Sequence, residues 1–211
     1  MLRAAQHNVL NYLISPLSTS SVANFQQEVE AAVEALLFQQ IILYPTDTVW
    51  GVGCDAEVPR AVERLYKLKE RPEGKPSIVL VADLDMLRRY VAEVPDGLEQ
   101  ALVEQTRPTT YILSANHRLA PQLLAPDGTV GLRIPQDEFC HKLVRRLGHG
   151  VVSTSANRAG EPTPATYVAV DPKLVRAVDH VVGWRQEDVA SVAPSRVVRF
   201  GADGQLEVVR E

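Results

Sequence analysis

The sequence predicts an α/β fold: a single domain built on a twisted, mixed, open sheet flanked by helices. Two observations carry that prediction. Short runs rich in branched and aromatic residues, Ile41–Tyr44, Ser77–Val81, Thr109–Ser114, Thr129–Ile134 and Val151–Ser155, have the length and content of buried strands. Between them lie segments with helical spacing of apolar residues. At 211 residues the chain can bury a sizeable core as one domain.

Taken in order, residues 1–23 show no convincing period and are read as a mobile or loosely packed arm, leaving 24–211 as the domain. Asn24 with Gln27 resembles a capping box, opening a helix to about Gln40. Ile41–Tyr44 follows as a strand ended by Pro45, which cannot donate to a ladder. Pro59 suits the first turn of a helix to about Leu68. Pro72 and Gly74 break the chain before the strand at Ser77. Asp83 and Asp96 are expected to cap two helices, and Asp137 a third that ends near Gly148. A helix is expected over 172–178 and a weak strand over 180–182. Val197–Phe200 and Leu206–Arg210 read as a terminal hairpin.

Composition excludes several function classes. A formal net charge of −4 and a pI near 5.8 argue against coating nucleic acid by bulk positive charge. Cys54 and Cys140 lack metal spacing and are too few for a disulfide framework, so a reducing, cytoplasmic setting is expected. No apolar run approaches the ~20 residues of a membrane span. The five histidines show no ligand spacing, so no protein-held metal is expected, and neither a Walker loop nor a dinucleotide glycine fingerprint is present.

The informative residues sit at strand ends. In Ile41–Ala56, Thr46, Asp47 and Thr48 crowd a strand exit and Gly51 and Gly53 permit close approach. A tight loop with Asp47 as a turn residue is the alternative. Lys69 and Arg71 flank a helix exit; Pro72 disfavours helix at Arg71, so the two cations could converge on one anion. A solvated basic helix end is the competing account. Alternation sends Thr129, Gly131 and Arg133 to one face of their strand, where Arg133 awaits a carboxylate, internal or from a substrate. The same alternation aligns Ser153, Ser155 and Asn157, able to read phosphate or hydroxyl groups, or to bond back to their own loop.

Together, YPTDTVWGVGCDA, Lys69-Glu70-Arg71 with Lys75-Pro76, TVGLRIP, STSAN-x-x-G-E-P and Pro194-Ser195 occur in an order that resembles the YrdC-like threonylcarbamoyl-AMP synthase family, over roughly 26–210. The resemblance implies a deep basic concavity and a nucleotidyltransferase that joins L-threonine, bicarbonate and ATP, with Mg²⁺ accompanying the ATP. Its product would serve threonylcarbamoyladenosine formation in tRNA, with tRNA or tRNA-modifying proteins as partners and no membrane.

By resemblance, Lys69 and Arg71 are the catalytic pair on the ATP phosphates, with Thr129, Ser155, Asn157, Thr163 and Arg210 around the nucleotide. Thr46, Arg133, Ser153 and Ser195 would serve threonine and carbamate. The sequence departs from the family pattern at Leu80 (commonly histidine), at Arg107-Pro108-Thr109-Thr110, and at Arg196, which is expected to bring a new cation near the site. Two alternatives are a module that binds double-stranded RNA or serves translation, using the Arg60–Lys75 cations, and a diverged paralogue with another carbamoyl or acyl substrate.

Overall fold

The computed structural model describes residues 19–71, 77–189, 193–201 and 203–211, with side chains from Asn24 onward. Nine strands form one mixed sheet: β1 (Ile42–Tyr44), β2 (Gly51–Gly53), β3 (Ile78–Leu80), β4 (Thr109–Ser114), β5 (Thr129–Arg133), β6 (Val151–Ser155), β7 (His180–Val181), β8 (Arg196–Phe200) and β9 (Leu206–Arg210). Their spatial order is β7-β1-β2-β6-β3-β5-β4-β8-β9. The pairs β1–β7, β3–β5 and β4–β8 are parallel and the remaining pairs antiparallel.

The helices are α1 (Thr19–Leu37), α2 (Pro59–Leu68), α3 (Leu84–Arg88), α4 (Leu98–Glu104), α5 (Glu138–Leu147) and α6 (Pro172–Ala177). Apolar faces of α1, α2 and α5, including Val29, Leu36, Leu65, Phe139 and Leu143, are buried in one core with the sheet. Asp83 and Asp137 cap α3 and α5 as expected, accepting from Met86 N at 2.8 Å and Cys140 N at 2.9 Å. Gly148 ends α5 in the left-handed conformation.

Three local expectations are corrected. Asn24 does not open α1, which starts at Thr19; Phe25 is buried edge-on against Phe139 and Trp184, so packing carries the helix through the apparent cap. Of the expected N-terminal arm, residues 19–23 are therefore helical, and 1–18 lie outside the described residues. Asp96 is not the cap of α4; Gly97, left-handed at φ 84°, holds that position after a turn closed by Leu98 N to Pro95 O. Finally, Gly51–Gly53 is not loop but β2, paired to β1 on one side and β6 on the other.

The glycines are what let β2 fit. A Cβ on Gly53 would lie 2.0 Å from the carbonyl oxygen of Val152. Gly51 is merely snug, its Cβ site 3.3 Å from Ser153 Oγ. With glycine at two of its three positions, GVG offers neither a run of branched residues nor an apolar–polar alternation, which hides the strand from a pattern reading.

Candidate functional site

A cavity of about 280 Å³ opens on one face of the sheet. The turn between β1 and β2 supplies Thr48 and β2 supplies Gly51; β5 supplies Arg133 at its carboxyl end; β6 supplies Ser153, Thr154 and Ser155; Arg71, Ser77, Thr163, Ser195 and Arg210 close the wall. Three arginines and a ring of hydroxyls therefore surround one hollow, and among the described residues no carboxylate lines it. Such a surface suits anionic ligands.

Arg133 is 3% exposed and sits 3.1 Å from Asp47 Oδ1, Nη to oxygen. Its other Nη donates to Thr48 Oγ1 at 3.2 Å, while Nε has no partner. Asp47 is fixed from behind by Gln136 N, which donates to Oδ2 at 3.1 Å. The internal carboxylate anticipated as one alternative for Arg133 is thus Asp47, and Arg133 nonetheless lines the cavity. The turn itself is braced by Thr46, whose hydroxyl donates to Val49 O at 2.7 Å and accepts from Thr48 N at 3.0 Å. Thr46 is buried in these bonds and does not line the hollow; Thr48 does.

Lys69 caps α2, with its ammonium buried against the carbonyl oxygen of Ser155. Burial, reinforced by the nearby Arg71, pushes its pKa down to about 7. Arg71 donates to Thr154 Oγ1 at 3.4 Å and lies 5.7 Å from the centre of the Tyr66 ring. Burial also draws its pKa below the ordinary value, opposed by Tyr66. Arg71 faces the cavity directly, whereas Lys69 stands behind the Ser155 wall.

Ser195 joins the site to β4: its hydroxyl is 2.9 Å from that of Thr110, and its carbonyl accepts from Arg210 Nη at 2.8 Å. Arg210 arrives by a β-bulge. Val197 is opposite Arg210 and Val198 opposite Val208, leaving Val209 as an extra residue. Plain alternation would send Arg210 to the side of Leu206, which lines a separate hollow behind the sheet. The bulge turns it into the cavity instead.

Other expected residues are dispersed. Thr129 lies at the amino end of β5, bonded to Asp127 Oδ1 at 2.7 Å, and lines a second hollow of about 420 Å³. That hollow adjoins the first where Ile78, lining one, pairs with Gly131, lining the other. Asn157 ties its own loop, donating to Arg158 O at 3.0 Å and Glu161 O at 2.7 Å. With Thr163 it lines a third hollow that meets the first at Thr163.

The expected new cation is not in the site. Arg196 lines the hollow behind the sheet with Tyr111 and Arg107, its Nε 3.6 Å from Glu211. Strand alternation explains this, since Arg196 pairs with Thr109 and both face that side. Leu80 is fully buried in β3. Among the described residues of the Arg60–Lys75 cluster, Arg64 pairs with Asp179 at 3.0 Å, Lys67 pairs with Glu63 at 2.6 Å, and Lys69 is buried. Lys75 lies outside the described residues.

Sequence reasoning placed Thr48 at the strand exit without giving it a ligand, and missed Thr154 and the outer brace Arg185, which donates to Asp137 Oδ2 at 2.6 Å and to the Thr46 carbonyl at 3.4 Å. Thr48 was legible from its place in the PTDT run; Arg185 carries no sequence signal. Among the described residues no group of three His, Cys, Asp or Glu is placed to hold a metal, and no helix is long and apolar enough to cross a membrane.

Residues 34–211 match the Sua5_yciO_yrdC family model, described as telomere recombination. The threonylcarbamoyl-AMP synthase of Stenotrophomonas maltophilia strain K279a is 35% identical over 170 residues, covering 79% of this chain and 91% of the relative. Among solved structures, E. coli YciO superposes with a TM-score of 0.76 at 26% identity, covering 88% of this chain and 89% of that one. P. abyssi Sua5 complexed with L-threonine superposes with a TM-score of 0.76 at 22% identity, over 88% of this chain and 54% of that one.

Proposed function

The chain belongs to the Sua5/YciO/YrdC family, and from that premise we propose that its cavity makes threonylcarbamoyl-AMP from L-threonine, bicarbonate and ATP. The observation that carries the reading is the convergence of Arg71, Arg133 and Arg210 with the hydroxyls of Thr48, Ser153 and Ser195 on one hollow that, among the described residues, no carboxylate lines. The threonine amine attacks bicarbonate to give a carbamate with loss of water. A carbamate oxygen then attacks the α-phosphorus, and the bond to the β,γ-diphosphate breaks to release pyrophosphate. No covalent enzyme intermediate is needed. The protein's task is to hold three anions together and neutralise them.

In this reading Arg133 binds the threonine carboxylate, with Ser153 and Ser195 beside the carbamate. Thr46 acts through the turn it braces, presenting Thr48. Arg71 and Lys69 take the phosphates, Lys69 by leaving the Ser155 carbonyl. Arg210, Ser155 and Thr163 line the nucleotide's path, and the second hollow at Thr129 receives its nucleoside end. Asn157 shapes the loop that carries Thr163. Among the described residues no group of carboxylates, histidines or cysteines forms a ligand set for Mg²⁺, so the ion would enter as part of the ATP complex.

The product's use in tRNA modification, tRNA-modifying proteins as partners and a cytoplasmic setting belong to the same proposal; two buried free cysteines are in keeping with that setting.

The test is incubation of the purified protein with ATP, L-threonine and bicarbonate, and with each omitted in turn, followed by mass detection of the adenylate. The product is expected only in the complete mixture. Pyrophosphate release indifferent to threonine overturns the substrate assignment.

A further inference from the structure

Asp47 lies behind Arg133 rather than in the cavity, and its side chain is only 8% exposed. A buried pair built for stability alone would align its hydrogen bonds, commonly two at once. This one does not. Asp47 Oδ1 is 3.1 Å from an Arg133 Nη yet lacks an aligned hydrogen bond, and Arg133 Nε is also without a partner. The carboxylate therefore holds the guanidinium by charge while leaving it unsaturated.

Its own position is fixed. Gln136 N grips the other oxygen, Thr46 and Thr48 lock the turn, and Arg185 ties the Thr46 carbonyl to Asp137 at the start of α5. Thr48 supplies the second restraint on Arg133. A guanidinium held on two sides, buried and still lining the hollow, is prepared for one incoming carboxylate.

We propose that Asp47 is the positioning residue of the carboxylate site, fixing Arg133 in place before substrate arrives. This rests on the reading that Arg133 receives the threonine carboxylate. Asp47 makes a buried cation tolerable in the empty site and confines it to one orientation, so little ordering remains to be done on binding.

The experiment uses the full chain and the Asp47→Asn variant, which keeps size and removes charge. Three quantities are measured: the Arg133 Nε–Hε resonance by NMR, the KM values for threonine and ATP, and the melting temperature. The expected result is an Arg133 resonance that sharpens into slow exchange only in the parent. The threonine KM should rise about tenfold or more with the ATP KM within about twofold, and the fold should be retained. An Arg133 resonance equally ordered in the variant overturns the proposal. So does a lowered melting temperature with threonine KM unchanged.

If Asp47→Asn does not fold, Asp47→Glu keeps the charge but displaces it by a methylene. Its threonine KM should rise likewise, and a parent-like value overturns the proposal. A parent enzyme indifferent to threonine defeats the substrate reading instead, while the Arg133 resonance still decides whether Asp47 positions it.

Discussion

The ammonium of Lys69 is held against the main-chain carbonyl of Ser155, a residue that lines the hollow while Lys69 does not. Its pKa falls from an ordinary 10.5 to about 7 because burial penalises the charged form. Between those values the unfolded chain binds a proton that the folded one does not. The cost of the buried charge is therefore complete below about pH 7 and fades as pH rises towards 10.5. Lys69→Met should melt above the parent near neutrality, and the gap should close between about pH 7 and about pH 10. A gap that stays constant across that window would show that Lys69 is not the titrating group.

ATP should reverse the shift. Phosphates brought near Lys69 favour its charged form, so binding at about pH 8 should take up close to one proton. Calorimetry in buffers of different ionisation enthalpy measures that uptake. Lys69→Ala should abolish it and, like Arg71→Ala, weaken ATP binding by about ten- to a hundredfold without unfolding the protein. Unchanged affinity in both variants would show that neither residue contacts the phosphates.

Gly53→Ala should be far worse than Gly51→Ala for stability. The first places a methyl 2.0 Å from Val152 O, against backbone that cannot step aside; the second meets side-chain atoms at 3.3 Å. We expect Gly53→Ala to cost about 1–3 kcal/mol or more, seen as a drop of several degrees in melting temperature. Equal melts would mean that β2 can move away from β6.

Arg196→Thr should leave the ATP and threonine affinities where they are. The side chain faces Glu211 and Tyr111 behind the sheet, opposite to the cavity. Its ion pair with Glu211 is partly exposed, so stability should change by less than about 1 kcal/mol. A shift in amino-acid preference would instead connect this position to substrate choice.

Most strands and the caps at Asp83 and Asp137 were legible because apolar runs, turn residues and short polar caps act locally. β2 was not, since two glycines around one valine give neither a branched run nor an apolar–polar alternation, and the strand is recognisable only by the neighbours it touches. The start of α1 was misplaced for a related reason: Asn24 and Gln27 are local signals, whereas Phe25 answers to Phe139 and Trp184 far along the chain. In the site, Arg133 could be named from strand parity, but its partner could not be chosen among the acidic residues without the turn that brings Asp47 close. Lys69 and Arg71 sit two residues apart, and only the strand wall of β6 decides that one faces the hollow and the other stands behind it.

Arg210 depends on a count as much as on an identity. With Val209 as the extra residue of the bulge, the number of residues between Leu206, paired to Phe200, and Arg210 sets which side of the sheet receives the guanidinium. Removing one residue from that stretch would conserve every functional side chain and still empty this corner of the cavity. Adding one would do the same. The terminal hairpin is thus a spacing device, and its tolerance should be judged by the parity of insertions and deletions: paired changes leave Arg210 aimed at the hollow, single ones do not.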